Sequence, residues 1–105
     1  IKVNNALAVR DFIHIFDICE AIKKISFNPI TGIFNICTGI GVSIEKISKH
    51  IQSIHGVYEK KLVSISNKPS KLVLDPKHTR NYFDWSSSIK IEEGIKMLFF
   101  KKESQ

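Results

Sequence analysis

Few of the residues that staple small folds or clamp metals occur in this sequence. Its two cysteines, Cys19 and Cys37, lack Cys-x-x-Cys spacing, so neither a disulfide framework nor a zinc knuckle is expected, and reduced cytosolic thiols are the default. The four histidines, His14, His50, His55 and His78, show no HxxxH or HExxH spacing, which argues against a metal site. Long apolar runs are missing too. The charge-free stretch from Ile25 to Ser43 holds Pro29, Gly32, Gly39, Gly41 and two asparagines, so it reads as turn, strand and loop, and no membrane partner is expected. Lys2 precedes no apolar core of a signal peptide. Neither G-x-G-x-x-G nor G-x-x-x-x-G-K-[ST] occurs among the five glycines, and no internal repeat is visible.

Against those absences stand 105 residues, 43% hydrophobic, 10% aromatic and 25% charged. That is the profile of one globular domain over residues 1–105, too small for a complete cofactor enzyme. A net charge of +6 raises nucleic acid, anionic membranes or phosphorylated ligands as partners. Fourteen of the sixteen cations are lysine, however, and isoleucine supplies eighteen residues, so a compositional bias towards Lys and Ile accounts for much of the excess. The lysines are dispersed over helix faces, and no nucleic-acid-binding signature appears, so nucleic acid is not the expected partner.

The order of elements alternates. Phe12, Ile13 and Ile15 favour a strand over Arg10–Ile15. Asp17 with Glu20 resembles a capping box opening a helix whose buried face is Ile18, Ala21, Ile22 and Ile25, ending before Pro29. Ile33–Cys37 reads as a strand covered on both faces, followed by a glycine loop. Ser43 caps a second helix with Ile44, Ile47, Ile51 and Ile54 inward and Gly56 as its stop. Lys61–Ser66 alternates as a strand, and Asn67-Lys68-Pro69-Ser70 breaks it. Asp75-Pro76 opens a short helix to about Tyr82, and Glu92 and Glu93 begin a last helix with Ile91, Ile95, Leu98 and Phe99 inward. The fold class is α/β, a small mixed domain of short strands and about four helices.

Candidate chemistry is sparse. Cys37, in an apolar strand, reads as an inert core thiol. Thr38-Gly39-Ile40-Gly41 before a helix superficially resembles a phosphate-binding turn, although a plain strand-to-helix connection explains it as well. Arg10 is one of only two arginines. Its planar fork suits a bidentate phosphate contact, and it suits equally an ion pair with Asp11, Asp17 or a helix end; the residues alone leave both open.

Arg10-Asp11-Phe12-Ile13-His14-Ile15 followed by Asp17-Ile18-Cys19-Glu20-Ala21 resembles the extended short-chain dehydrogenase/reductases, and within them the nucleotide-sugar epimerase/dehydratase group typified by UDP-glucose 4-epimerase. Phe34-Asn35-Ile36-Cys37-Thr38-Gly39, the Asp75–Trp85 segment and Ile91-Glu92-Glu93-Gly94-Ile95 agree in order and spacing. The resemblance implies that the whole chain is a C-terminal substrate lobe whose N-terminal Rossmann domain, with its NAD(P), lies elsewhere. Tyr58 and Tyr82 have Leu62 and Ser86 four residues on, so the family's catalytic Tyr-x-x-x-Lys is absent and no catalytic or cofactor-binding residue is assigned. It further implies that Arg10 holds the diphosphate of a nucleotide sugar, with Asp11 orienting Arg10 or the backbone. Where the family carries an Arg-Pro-Gly-Asp loop, this chain has Lys68-Pro69-Ser70-Lys71, making Lys68 and Lys71 candidate point charges for the same diphosphate. Phe16, Cys37, Asp84 and Lys90 depart from the family pattern.

The leading expectation is therefore a substrate-binding fragment of an NAD-dependent nucleotide-sugar epimerase or dehydratase, inert alone. The alternative is a non-enzymatic interaction module, which would pair as a homodimer through exposed apolar surface, or a basic polyanion binder.

Overall fold

The computed structural model describes residues 2–3, 5–56, 61–62 and 70–103. Nine elements follow one another: β1 (Lys2–Val3), β2 (Val9–Asp11), α1 (Ile15–Phe27), β3 (Gly41–Ser43), α2 (Ile44–His55), β4 (Lys61–Leu62), β5 (Lys71–Leu72), α3 (Lys77–Phe83) and α4 (Ile91–Glu103). β2 is the centre of a three-stranded sheet, antiparallel to β3 and parallel to β5, while β1 and β4 form a separate parallel pair. The α/β class and the four helices expected from the sequence are present.

Local chemistry explains most boundaries. Ser43 Oγ accepts the Lys46 N–H at 3.1 Å, and Gly56 ends α2 at φ 76°, a left-handed cap that suits a residue without Cβ. Gly41 lets β3 approach its neighbours, because an added Cβ would lie 2.7 Å from both Val9 Cγ1 and Val73 Cγ2. Asp75 Oδ1 accepts the Lys77 N–H at 2.9 Å at the start of α3, but the N-cap is Pro76, one residue later than the aspartate expected there, and Lys77 rather than the proline is the first helical residue.

Several expectations are corrected. The first strand stops at Asp11, and α1 starts two residues before Asp17, with His14 Nδ1 accepting the Phe16 N–H at 3.0 Å. Asp17 is buried and instead accepts the Ser88 N–H at 3.1 Å, the Ser88 hydroxyl at 3.0 Å and the Ile89 N–H at 3.0 Å. Three donors converging from one turn outweigh the single bond an N-cap offers. Ile22, assigned inward, is 57% exposed, and the inner face of α1 runs through Asp17 and Ala21.

Residues 33–37 join no ladder among the described residues. Asn35 is held by side-chain bonds instead, its carbonyl accepting the Thr79 hydroxyl at 2.7 Å. Phe34 and Ile36 pack on the core while Ile33 is 90% exposed, so this run is covered on one side only. In α2 the fully buried positions are Ser48 and Gln52, not the isoleucine stripe, which is half-buried; Ile47 meets Phe12, Ile91 and Ile95 across a hollow of about 180 Å³. In α4, Gly94 seats the helix, since a Cβ there would come within 3.0 Å of His14 Cδ2, and Leu98 is 64% exposed. The expected strand beyond Leu62, the Asn67–Pro69 break and Lys68 lie outside the described residues.

Ala21, Phe83 and Trp85 form the buried core, flanked by Ile13, Ile25, Phe34 and Ile36. The chain is flat, 48 × 41 × 14 Å. Its radius of gyration is 16.3 Å, against roughly 13 Å for a compact domain of this length. One thin layer cannot hide its apolar residues on both sides, and Phe27, Ile15, Ile40, Leu72 and Phe100 are exposed.

Candidate substrate-binding site

β2 places Arg10 at the centre of the three-stranded sheet, in register with Val42 of β3 and Leu72 of β5. Alternation along the strands puts these three on one face and Val9, Asp11, Gly41 and Lys71 on the other. Lys71, in register with Val9, is therefore separated from Arg10 by the sheet itself. The structure does not bring these two cations together, and Lys68 lies outside the described residues.

The Arg10 guanidinium is held by backbone and hydroxyl oxygens. Nη1 donates to the Val9 carbonyl at 2.8 Å and the Ser70 carbonyl at 3.2 Å, and Nη2 donates to Ser70 Oγ at 2.9 Å. Among the described residues it forms no ion pair; the salt bridge there is Lys49 with Glu45, at 3.0 Å. Neither aspartate considered as its partner reaches it. Asp17 is engaged by Ser88 and Ile89, and Asp11 is engaged by the following loop.

Asp11 Oδ1 accepts the Thr38 N–H at 3.0 Å and the Thr38 hydroxyl at 2.5 Å, while Oδ2 accepts the Gly39 N–H at 2.8 Å. Of the two roles the resemblance gave Asp11, the one realised is orientation of the backbone. The same bonds decide the nature of the Thr38–Gly41 turn. Three of its four amides are occupied: Thr38 and Gly39 by Asp11, Ile40 by Thr38 Oγ1 at 3.0 Å. At the start of α2, Ile44 and Glu45 donate to the Ala8 and Ala6 carbonyls at 3.0 and 2.8 Å. A phosphate cradle needs free N–H groups and positive potential, and this turn has a carboxylate in their place. The turn is a connection, and the described residues supply no fitting seat for a dinucleotide.

Burial raises the Cys37 thiol above its ordinary value, and the Asp11 and Asp75 carboxylates push it further in the same direction. A neutral buried thiol is a poor nucleophile. Among the described residues no group of three or more His, Cys, Asp or Glu side chains could hold a metal ion, and no helix is long and apolar enough to cross a membrane.

Ser70 is the residue that sequence reading missed. In Lys68-Pro69-Ser70-Lys71 it carried only a turn-breaking signal, and nothing local announces that the start of β5 delivers its two oxygens to an arginine sixty residues earlier.

No protein-family model matches the sequence. Solved structures do. The UDP-glucose 4-epimerase of Thermotoga maritima with UDP-glucose is similar at TM-score 0.81 and 25% identity, over 100% of this chain and 36% of that one. The Bordetella bronchiseptica enzyme WbmG in complex with NAD is similar at TM-score 0.78 and 28% identity, over 96% of this chain and 34% of that one. RMD from Pseudomonas aeruginosa, complexed with NADPH, shares the fold at TM-score 0.83 and 18% identity, over 99% of this chain and 35% of that one. A dTDP-glucose 4,6-dehydratase from Bacillus anthracis, in complex with NAD, matches at TM-score 0.80. In fold, this chain resembles the NAD-dependent nucleotide-sugar epimerases and dehydratases of the extended short-chain dehydrogenase/reductase type, spanning 31–38% of the length of the chains it matches.

Proposed function

We propose that this chain is the C-terminal, substrate-positioning part of an NAD-dependent nucleotide-sugar epimerase or dehydratase, without catalysis of its own, and that Arg10 grips the diphosphate of the nucleotide sugar. The observation that carries the reading is the state of Arg10: a guanidinium on the central strand, at the head of the Arg-Asp-Phe block, with no carboxylate partner among the described residues. Charge left uncompensated beside two backbone carbonyls favours an anion. Lys68 keeps the role of supplementary point charge, and Lys71, on the opposite face, adds only long-range positive potential. Holding the diphosphate fixes the sugar for a reaction performed by groups outside this chain, a proximity contribution. Structural neighbours whose complexes contain UDP-glucose or UDP-glucuronic acid support this substrate class.

The partner in this reading is an N-terminal Rossmann domain carrying NAD(P). The flat shape supports it, as do Ile33 at 90% and Phe27 at 79% exposure, because a single layer with such apolar faces gains most by packing against another layer. The same surface favours a second reading, an interaction module that pairs with itself. Light scattering distinguishes them: concentration-dependent dimerisation without affinity for UDP-sugars favours the module. The direct test is titration with UDP-glucose at low salt. Weak, salt-sensitive binding, weakened further by Arg10→Ala, supports the substrate-positioning role. Equal affinity of the variant removes Arg10 from the site.

A further inference from the structure

An arginine on a surface strand has many rotamers, and a bidentate contact forms readily only if its fork is already aimed. Ser70 supplies that aim. Its carbonyl and hydroxyl oxygens take hydrogens of Nη1 and Nη2, the end edge of the guanidinium, and the Val9 carbonyl takes the other Nη1 hydrogen. Three of the five donors an arginine carries are thereby bound to the chain. The remaining two, Nε–H and the second Nη2–H, lie along the side edge with no partner among the described residues. They are parallel and spaced to meet two oxygens of one phosphoryl group.

The geometry points to Ser70 as a positioning residue, whose hydroxyl locks the end edge of Arg10 so that the side edge faces the diphosphate. This rests on the diphosphate reading of Arg10 and deepens it. A glycine at this place, as in the Arg-Pro-Gly-Asp loop this segment resembles, would offer the carbonyl but no hydroxyl. The Nη2 contact is thus a feature of this chain's own serine.

The test is titration of the whole chain with inorganic pyrophosphate, followed through the Arg10 Nε–Hε resonance by NMR, for the native protein, Ser70→Ala, Ser70→Thr and Arg10→Ala. In the native protein pyrophosphate shifts the resonance. Ser70→Ala weakens binding about tenfold or more, the loss of one hydrogen bond to a charged group, and lowers the Nε heteronuclear NOE before any ligand is added. Ser70→Thr, which keeps the hydroxyl, restores both readouts. Backbone amide spectra that superimpose between variants exclude misfolding as the cause. Unchanged affinity and unchanged Nε relaxation in Ser70→Ala overturn the role of Ser70 while leaving Arg10 in place, and tighter binding by Ser70→Ala overturns it by showing that the serine sequesters the fork. Pyrophosphate binding undiminished by Arg10→Ala overturns the diphosphate reading and this inference together.

Discussion

Replacing Asp17 separates two roles that the same residue type can play. As an N-cap, aspartate is interchangeable with asparagine or serine at little cost, because all three offer an acceptor to the first turn. As a buried clamp it is not. Asp17 accepts three hydrogen bonds of 3.0–3.1 Å from Ser88 and Ile89, fixing the segment that leads into α4 against α1. Asp17→Asn keeps an acceptor for the two Ser88 donors but turns an NH₂ group towards the Ile89 N–H. One charge-assisted bond is lost and two donors are opposed, a cost of about 2–3 kcal/mol. Asp17→Ser is too short to reach the turn and loses all three bonds, about 3–5 kcal/mol. Domains of this size have a total stability of about 5–15 kcal/mol. With a urea m-value of roughly 1–1.5 kcal/mol/M for a small domain, the Asp17→Asn midpoint falls by about 2 M. Urea denaturation followed by Trp85 fluorescence reads this directly. Midpoints for both variants within about 0.3 M of the native protein, the outcome an N-cap would give, refute the clamp.

Three further outcomes follow from the packing and the thiols. Because Cys37 is raised in the folded state, unfolding exposes a thiol that ionises at its ordinary value of 9.0. Above that pH the unfolded chain binds fewer protons than the folded one, so this contribution to stability is intact at neutral pH and is lost as pH rises. Cys37→Ala flattens the alkaline limb of a stability–pH profile, and in the native protein an alkylating reagent modifies exposed Cys19 well before buried Cys37. Gly41→Ala drives a methyl group against Val9 and Val73 at 2.7 Å, costing about 1–3 kcal/mol by overpacking, which a thermal melt detects as a lowered midpoint. A Gly41→Ala melt that matches the native one contradicts the close approach of β3 to β2.

The sequence made some features legible because a single residue decides them. Ser43 and Gly56 bracket α2 through one hydroxyl bond and one left-handed φ, and Asp75 sits beside the start of α3. Other features were hidden because they depend on partners far along the chain. The capping pattern at Asp17 and Glu20 is genuine as a pattern, yet the carboxylate is claimed by residues more than seventy positions away. Ile33–Cys37 has strand composition, but a strand also needs a neighbour with free backbone groups, and composition does not supply one. Periodicity placed the isoleucines of α2 inward; a layer only 14 Å thick leaves them at its margin while Ser48 and Gln52 are covered. At the candidate site, Arg10 stood out by rarity and by the block it heads. The separation of Lys71 onto the other face required the register of β5, which no local signal gives.

The most direct test of the diphosphate grip is phosphorus-31 NMR of UDP-glucose mixed with the native chain at low ionic strength. The two diphosphate resonances are expected to broaden and shift, with the change suppressed by Arg10→Ala and by added salt. Diphosphate resonances that stay sharp and unmoved while the glucose or uridine protons broaden would contradict the account, since the ligand would then be held by some part other than the group Arg10 is said to grip.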